Sequence, residues 1–311
     1  MNPLDERFPT APSDFDGDGH ARVVLRYEDV TRDGRIALNA LPNGVGEAVW
    51  RASLAHHPAR ESLRRQGVVP ILSRFVIQGS PGPFSVDPSL EAHGRYQFAH
   101  SVDANDNVDR LYLNMWVDLD GKRGRTWDPQ PDGDGERIFA GRVFAEHVLT
   151  RLFAPPELRR VRSLEAQDSM PAVPRVRYVP RSFPSIATMP AGARALEPHL
   201  RIEAPTVTFG LVHTDSNQHV NSLVYPQMFE EFAIRRLAAL GVRTPLLARS
   251  LEVGYRKPCF VGDRMIVAMQ TYEHEGAYGA FGFFANADDS PDGASLDRAR
   301  AHAYVWMSLE P

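Results

Sequence analysis

The most informative stretch of this chain is His213-Thr-Asp215-Ser-Asn217-Gln-His219-Val-Asn221-Ser-Leu-Val-Tyr225, which places a carboxylate, an amide and an imidazole before a helix-like segment. In an extended strand Asp215 and His219 would lie about 13 Å apart, too far to share one reacting atom. One helical turn would bring them to roughly 6 Å. If the two side chains cooperate, the segment must therefore be a bend where a strand turns into a helix.

The residues after this bend have the spacing of an amphipathic helix. Apolar side chains recur at Tyr225, Met228, Phe229, Phe232, Ala233, Leu237 and Leu240. This period predicts a buried helix face, and Gly241 supplies a stop signal. Asn221 or Ser222 can cap the helix start, and Pro226 suits its first turn.

These residues resemble the D-x-N-x-H-V-N-x-x-x-Y signature of hotdog-fold thioesterases, particularly the acyl-acyl-carrier-protein thioesterases. The later stretch from Tyr255 through Pro258 to Gly262-Asp263 is similar to the Y-x-x-P and G-D pattern on the following strand of that superfamily. The resemblance implies an α+β fold, the double hotdog, in which two units each wrap an antiparallel sheet around a long central helix. It covers residues 205–311 directly.

A second copy of the motif is indicated nearer the N-terminus. Laying residues 40–50 over 215–225 pairs Val45 with Val220, Val49 with Val224, and Trp50 with Tyr225. In this overlay Ala40, Pro42 and Gly44 stand where Asp215, Asn217 and His219 stand. The apolar positions are kept and the polar ones are lost, which predicts a first unit without site residues.

The alternation of apolar residues near the ends of the two halves extends the repeat and places Trp116 in register with Trp306. We therefore predict a degenerate hotdog unit over 20–120, a Pro-rich linker with one helix (138–153) over 121–200, and a site-bearing hotdog unit over 201–311. The central helix of the first unit is expected over 45–66. Polar loops are expected at 129–135 and 287–297, the second absorbing the difference in spacing between the halves.

Composition limits the classes of function. The chain has 311 residues, enough for about two domains, and a net charge of −4 with scattered basic residues, which argues against nucleic-acid binding. A single cysteine excludes an intramolecular disulfide. Neither a signal peptide nor an apolar run of ~18 residues is present, so we expect a cytoplasmic protein without a membrane span.

The resemblance implies that Asp215, Asn217 and His219 are the catalytic residues of an acyl thioester hydrolase. Asp215 can act as a general base on water or attack the thioester itself, and the sequence does not choose between these routes. Asn217 and His219 can donate to the carbonyl oxygen or orient the water. Backbone N–H groups around 221–224 are expected to stabilise an oxyanion. Predicted substrate-binding residues are Asn221, Val224, Tyr225 and Trp50, the two aromatic ones also forming core at the helix root.

Three residues near the motif have other expected roles. Pro258 stands where plant acyl-carrier-protein thioesterases carry a glutamate, so a mechanism that needs that carboxyl group is incomplete here. Cys259 aligns with a cysteine once proposed as a nucleophile, but without a local partner it is expected to be a small buried residue. Glu230 and Glu231 are expected to form an exposed acidic face.

Alternative functions remain at this stage. A hydratase or dehydratase of the same fold uses a D-x-N-P-x-H pattern with a five-residue gap, against four here. A non-catalytic module that binds acyl thioesters is the other alternative. The expected partner is acyl-CoA or an acyl carrier protein, and a homodimer of such chains is one assembly that the fold allows.

No cofactor or metal site is predicted from spacing. The stretch Asp14-Phe-Asp16-Gly-Asp18-Gly19 resembles the start of a calcium loop, but its twelfth position is Leu25 rather than glutamate, which leaves a turn-rich loop. The eleven histidines form no H-E-x-x-H or Cys/His grouping.

Overall fold

The computed structural model describes residues 7–87, 89–126, 135–166, 170–243, 245–289 and 298–311. These residues form two compact units. One runs from Phe8 to Pro180, and the other combines Arg7 with Arg181–Pro311. The loops expected at 129–135 and 287–297 fall largely outside the described residues.

The N-terminal unit contains an antiparallel sheet of five long strands. They are β1 (Gly17–Val23), β2 (Val69–Gly79), β3 (Leu90–Val102), β4 (Val108–Lys122) and β5 (Arg137–Thr150), and a two-residue strand β6 (Val176–Arg177) runs parallel to β3. The spatial order is β1-β3-β4-β5-β2. Because Gly44 and Gly94 lack side chains, the helical segment that follows Gly44 can pack closely against β3 and β4.

The prediction of one helix over 45–66 is wrong. The structure has a π-helical segment at Val45–Arg51, a short turn at Leu54–His56 and helix α1 (Pro58–Arg65). Pro58 has no N–H to continue a preceding helix but suits the first position of a new one. His57 caps α1, since its Nδ1 accepts a hydrogen bond from Ala59 N at 3.1 Å.

The predicted helix over 138–153 is also wrong, because these residues form strand β5. The Phe144 side chain packs in an apolar cluster with Trp116 and Val76 on one face of the strand. Val143 and Ala145, which point to the other face, are buried as well. A strand buried on both faces shows no period of two, so its apolar run resembles that of a helix. The first unit therefore includes a strand that the predicted boundary at residue 120 leaves out.

The C-terminal unit has four long strands and one long helix. After the short strands β7 (Arg194–Ala195), β8 (Arg201–Ile202) and β9 (Val207–Thr208) come the elements α3 (Val224–Ala239), β10 (Leu247–Tyr255), β11 (Arg264–His274), β12 (Ala277–Asn286) and β13 (Ala303–Glu310). A single turn of helix, α2 (Phe183–Ile186), precedes them. Helix α3 packs on this sheet through Tyr225, Phe229, Phe232, Ala233 and Leu237.

The two units share one topology. In the N-terminal unit the strand after the helical segment, β2, pairs with the last strand, β5, and the order continues through β4 and β3 to β1. In the C-terminal unit β10 pairs with β13, followed by β12 and β11, and β11 pairs with the three short strands. Each unit is an antiparallel sheet against a helical segment, as expected of a hotdog.

This topology corrects the predicted register of the tryptophans. Trp116 lies on β4, the third strand after the helical segment, whereas Trp306 lies on β13, the fourth. The strand equivalent to β13 is β5, which the sequence pattern assigned to a helix. Trp116 and Trp306 are therefore not equivalent positions.

A buried ion pair lies on β10 of the C-terminal unit. Arg7 Nη1 contacts Glu252 Oε2 at 2.8 Å, and the Glu252 side chain is fully buried. The guanidinium also donates to Ile186 O and Thr188 O and stacks 4.2 Å from the Trp306 ring centroid. Burial lowers the pKa of Arg7, and the attraction of Glu252 opposes this shift. The pair joins the segment at Arg7 to the sheet.

The N-terminal unit buries a histidine that should make its stability sensitive to acid. His147 on β5 packs edge-on against Trp50 with ring centroids 5.4 Å apart, and its Nδ1 has no hydrogen-bond partner among the described residues. Burial lowers the pKa of His147 to about 4. In the unfolded chain this histidine has a pKa of about 6.5. Between these two pKa values the unfolded state therefore binds a proton that the folded state does not bind. The contribution of neutral His147 to stability is fully present above pH ~6.5 and is lost as the pH falls toward 4.

We expect the titration of His147 to lower the free energy of unfolding by about 3 kcal/mol when the pH falls from 7 to 4. Urea unfolding followed across this range tests this value, because His147→Phe should flatten the pH dependence by that amount. His199→Asn changes an exposed histidine and should leave the dependence as it is. Parallel curves for the wild type and His147→Phe would contradict the assignment.

Within the described residues, no helix combines the length and the apolar character needed to cross a membrane.

Candidate active site

The predicted bend before the long helix is a tight turn. Thr214 and Val220 form an isolated antiparallel bridge, and Asp215 N donates to His219 O at 3.2 Å. Gln218 N donates to Asp215 O at 3.0 Å, and Gln218 has a φ of 65°, in the left-handed region. The turn brings the backbones of Asp215 and His219 together, as predicted, but by a hairpin rather than by a helical turn.

The carboxylate of Asp215 receives one donor on each oxygen. Asn217 N donates to Oδ1 at 2.8 Å, and Asn221 Nδ2 approaches Oδ2 at 3.4 Å. Asp215 is half-buried. The hydrogen bond to Oδ1 orients the carboxylate. Because the contact to Oδ2 is long, that oxygen is weakly bonded and can accept a hydrogen bond from another donor.

The other two predicted catalytic side chains lie on the same turn but are positioned differently. Asn217 is exposed and contacts Asp215 through its backbone N–H. His219 is half-buried, and its Nδ1 lies 3.3 Å from Val220 O. Of the three, Asp215 is the side chain that the turn holds most firmly.

The start of helix α3 uses backbone donors that were expected to face an oxyanion. Asn221 N donates to His213 O, Leu223 N to the Asn221 side-chain oxygen, and Val224 N to Asn221 O, all within 3.0 Å. The Asn221 bond closes a turn just before the helix, whose N-cap is Leu223 without a side-chain cap, so the prediction of Asn221 or Ser222 as the cap is wrong. These three N–H groups are committed to protein acceptors, so the expected oxyanion site at 221–224 is wrong for them.

The root of helix α3 is an aromatic cluster. Tyr225 is buried and packs edge-on against Phe209, Tyr255 and Phe284 at centroid distances of 5.4–5.7 Å. Tyr255 OH donates to Ser222 O at 2.8 Å. Burial raises the pKa of both tyrosines, so their hydroxyl groups stay protonated. Tyr225 thus forms core, and Pro226 and the positive φ of Gly241 bound the helix as predicted.

The structure gives Cys259 a partner that the sequence pattern missed. Its Sγ lies 3.2 Å from His302 Nδ1, and Val220 N donates to Cys259 O at 2.8 Å, which joins this segment to the turn. Cys259 and His302 are 43 positions apart in sequence, so no local signal links them. Cys259 is fully buried, and burial raises its pKa to about 11. The thiol is therefore protonated at neutral pH, and Pro258 beside it is exposed.

The expected exposed acidic face at Glu230 and Glu231 is only half right. Glu231 is exposed and pairs with Arg235 at 2.9 Å. Glu230 is half-buried, and its Oε1 accepts a hydrogen bond from Ala248 N at 2.9 Å. Burial raises the pKa of Glu230. Glu230 ties the helix to the start of β10 instead of facing solvent.

The N-terminal unit contains the same turn, at a different place from the predicted one. Val30 and Ile36 form a bridge that matches Thr214 and Val220. Thr31 N donates to Arg35 O at 2.8 Å, Gly34 N donates to Thr31 O at 2.9 Å, and Gly34 has a φ of 87°. These bonds repeat those of the C-terminal turn one for one.

The overlay of residues 40–50 on 215–225 is therefore wrong. The residues equivalent to Asp215, Asn217 and His219 are Thr31, Asp33 and Arg35, and the bridge residue Ile36 takes the place of Val220. Trp50 lies along the helical segment instead of at its root, half-buried against His147. Its role in substrate binding stays a prediction.

The polar residues of the N-terminal turn bind one another. Asp33 accepts hydrogen bonds from Thr31 Oγ1 and from Arg35 Nε, and Arg35 Nη2 lies 2.6 Å from Asp33 Oδ2. Burial opposes the charge of Asp33, but these hydrogen bonds outweigh it and lower its pKa to about 2. The position that carries Asp215 in the other turn carries threonine here, which has no carboxylate.

Comparison with solved structures identifies the fold. A Lactobacillus plantarum protein described as an oleoyl thioesterase matches with a TM-score of 0.55 and 12% identity, over 94% of this chain and 96% of that chain. An acyl-ACP thioesterase from Bacteroides thetaiotaomicron matches with a TM-score of 0.51 and 14% identity, over 94% and 98% of the two chains. No protein-family model and no curated protein sequence matches the chain.

The chain therefore shares the fold of these two solved structures, the double hotdog, as the motif implied. The likeness extends over nearly the whole length of the chain and of both matched proteins. At these identities it is a likeness of fold, and the chemistry has to be argued from the residues of the turn.

Proposed function

We propose that the chain hydrolyses acyl thioesters of an acyl carrier protein or coenzyme A, at a single site around Asp215 in the C-terminal unit. The observation that carries the proposal is the Asp215 carboxylate, which the turn orients through Oδ1 while Oδ2 has only a long contact. The matched solved structures are described as thioesterases, which supports the same class of reaction.

The reaction needs a charged carboxylate. In the general-base route Asp215 takes a proton from water, the water oxygen attacks the thioester carbon, and the C–S bond breaks as the thiol leaves with a proton. In the covalent route a carboxylate oxygen of Asp215 attacks the thioester carbon, and the C–S bond breaks as the thiolate leaves and takes a proton from solvent. Water then hydrolyses the resulting anhydride to the free acid and the Asp215 carboxylate. Asn217 and His219 are the proposed donors to the carbonyl oxygen, because the N–H groups of Asn221, Leu223 and Val224 are bonded within the protein.

The two turns support one working site in place of two. Both have the same backbone hydrogen bonds, so the difference between them lies in their side chains. Thr31 replaces the aspartate, and Asp33 is held by Arg35 in an ion pair that lowers its pKa to about 2. A carboxylate so strongly stabilised is a poor acceptor of a proton from water. The turn of the N-terminal unit is therefore proposed to be non-catalytic.

A thiol-release assay on a panel of acyl-CoA and acyl carrier protein thioesters tests the proposal. Hydrolysis predicts release of free thiol that depends on Asp215. Loss of ultraviolet absorbance from an enoyl thioester without thiol release would indicate hydration, and tight binding without either reaction would indicate a binding module. Both of these results contradict the proposal.

Cys259 is not part of the proposed chemistry. At a pKa of about 11 only about one thiol in ten thousand is ionised at pH 7. We expect Cys259→Ala to keep hydrolysis within about threefold of wild type, because one small buried group is removed. The rate of thiol release by the purified variant, with its melting temperature as a control for folding, checks this. A loss as large as that caused by replacing Asp215 would instead indicate a cysteine nucleophile paired with His302.

A further inference from the structure

The register of strands β1 and β3 brings two histidines together that are far apart in sequence. His20 on β1 lies directly opposite His93 on β3, and their rings stack with centroids 4.2 Å apart and planes at 5°. Asp18 lies two residues before His20 and so shares its face of the sheet. Its Oδ2 lies 3.7 Å from His93 Nε2. Spacing in sequence could not show this cluster, since its parts meet only through strand pairing.

We propose that Asp18, His20 and His93 form a binding site for a divalent transition-metal ion, with Zn²⁺ as the reference ion. Each residue offers one ligand atom, and these atoms all lie within 4.8 Å of one another. Ligands around Zn²⁺ at 2.0–2.1 Å are separated by about 3.3 Å in tetrahedral geometry. Small rotations of the side chains would bring the ligand atoms from their present separations to this distance.

The backbone of the site is held in place from the opposite face. Gly19, beside Asp18 and His20, lies so close to the π-helical segment that a Cβ would stand 2.4 Å from Ala48 O. Gly94, beside His93, lies as close, since its Cβ would stand 2.6 Å from Val49 Cγ2. Because this face is packed, side chains of Asp18, His20 and His93 must point to the other face. The ligands are therefore presented on a rigid base.

The charges around the cluster are suitable for a cation. Asp18 supplies one carboxylate to the cluster itself. Arg22 and Arg95 are cations on the same face, each two residues after a histidine of the cluster. Arg95 is paired with Asp118 at 2.6 Å and stacked 4.9 Å from the Phe15 ring. Asp118 lies directly across from His93 on β4, which adds a second carboxylate near the site.

The ligand types define the class of ion. Two imidazoles and one carboxylate favour Zn²⁺, Co²⁺, Ni²⁺ or Cu²⁺ over Mg²⁺ or Ca²⁺, which prefer oxygen ligands. Three protein ligands leave positions for water or for a ligand from another molecule. Strand β1 pairs only with β3 among the described strands, so a bound ion would join this outer strand to its neighbour.

Titration of the chelator-treated, tag-free chain with Zn²⁺ by calorimetry tests the proposal, with Co²⁺ absorption as a second readout. The wild type should bind one ion at this site, and both His20→Ala and His93→Ala should weaken binding at least about tenfold. His199→Ala removes an equally exposed histidine elsewhere and should leave binding unchanged.

Two further readouts make the result decisive. Zn²⁺ should raise the melting temperature of the wild type but not that of His20→Ala, since a ligand of the folded state stabilises it. Far-UV circular dichroism in chelator should be the same for the wild type and His20→Ala, because His20 is exposed. Unchanged Zn²⁺ affinity in His20→Ala, or no saturable binding by the wild type, would overturn the proposal.

Discussion

Replacing Asp215 with asparagine should slow thioester hydrolysis at least ~100-fold, the loss expected when a positioned acid, base or nucleophile is removed. Asparagine keeps a side-chain oxygen in place of Oδ1, so the hydrogen bond from Asn217 N and the shape of the turn should remain. The charge is lost, and with it the ability to take a proton from water or to attack the thioester. Steady-state thiol release, with the melting temperature measured alongside, checks this result.

Asp263→Asn provides a matched control for this substitution. Asp263 also lies in the C-terminal unit and also closes a turn, since its Oδ2 accepts a hydrogen bond from Phe260 N at 2.8 Å. We expect this variant to keep its activity within a few fold. If Asp215→Asn kept most of the activity, or if both variants lost it equally, the role assigned to Asp215 would be wrong.

Replacing Glu252 with glutamine should lower the free energy of unfolding by about 3–5 kcal/mol, the cost of breaking a buried ion pair by removing one partner. The Arg7 guanidinium is 6% exposed and would keep its charge without the carboxylate that balances it. Two backbone carbonyls would still accept its hydrogen bonds, but they cannot replace a full charge. Urea unfolding followed by tryptophan fluorescence measures the change, because Trp306 stacks on Arg7.

Glu231→Gln is the control for the ion pair. Glu231 and Arg235 form a pair of similar length on helix α3, but both side chains are more than half exposed. An exposed pair of this spacing contributes about 0.3–0.5 kcal/mol, so the variant should unfold almost as the wild type does. Equal losses for Glu252→Gln and Glu231→Gln would show that burial does not strengthen the pair.

The C-terminal turn and helix were predictable because their signals are local. Asp215 and His219 had to meet in a bend if they cooperate, and the apolar period after Tyr225 defined the helix that follows. Gly241 ends the helix because its positive φ suits glycine. The resemblance to a known signature then identified the double-hotdog fold.

The N-terminal unit was predicted less well for two physical reasons. Strand β5 is apolar on both faces, so periodicity could not separate it from a helix. The turn of this unit lies at Thr31–Arg35, where hydrogen bonds of the backbone are the same as those around Asp215 but the side chains differ entirely. An overlay that rewards matching apolar residues therefore selected the wrong segment, 40–50.

Pairs of residues that meet only in the folded structure could not be predicted from the sequence either. His302 approaches Cys259, and His93 approaches His20, only because strands bring them together. Motif searches depend on short spacings and cannot find such pairs. The predicted absence of a metal site followed from this limit, and the cluster at Asp18, His20 and His93 appears once the strand register is known.

The most direct test of the central claim is a crystal structure with a non-hydrolysable acyl thioester analogue. The account predicts that the carbonyl carbon, or one water beside it, lies within about 3.2 Å of Asp215 Oδ2, the reach required for proton transfer. Asn217 or His219 should then contact the carbonyl oxygen. An analogue bound beside the Thr31–Arg35 turn, or bound with Asp215 more than one water away, would contradict the account.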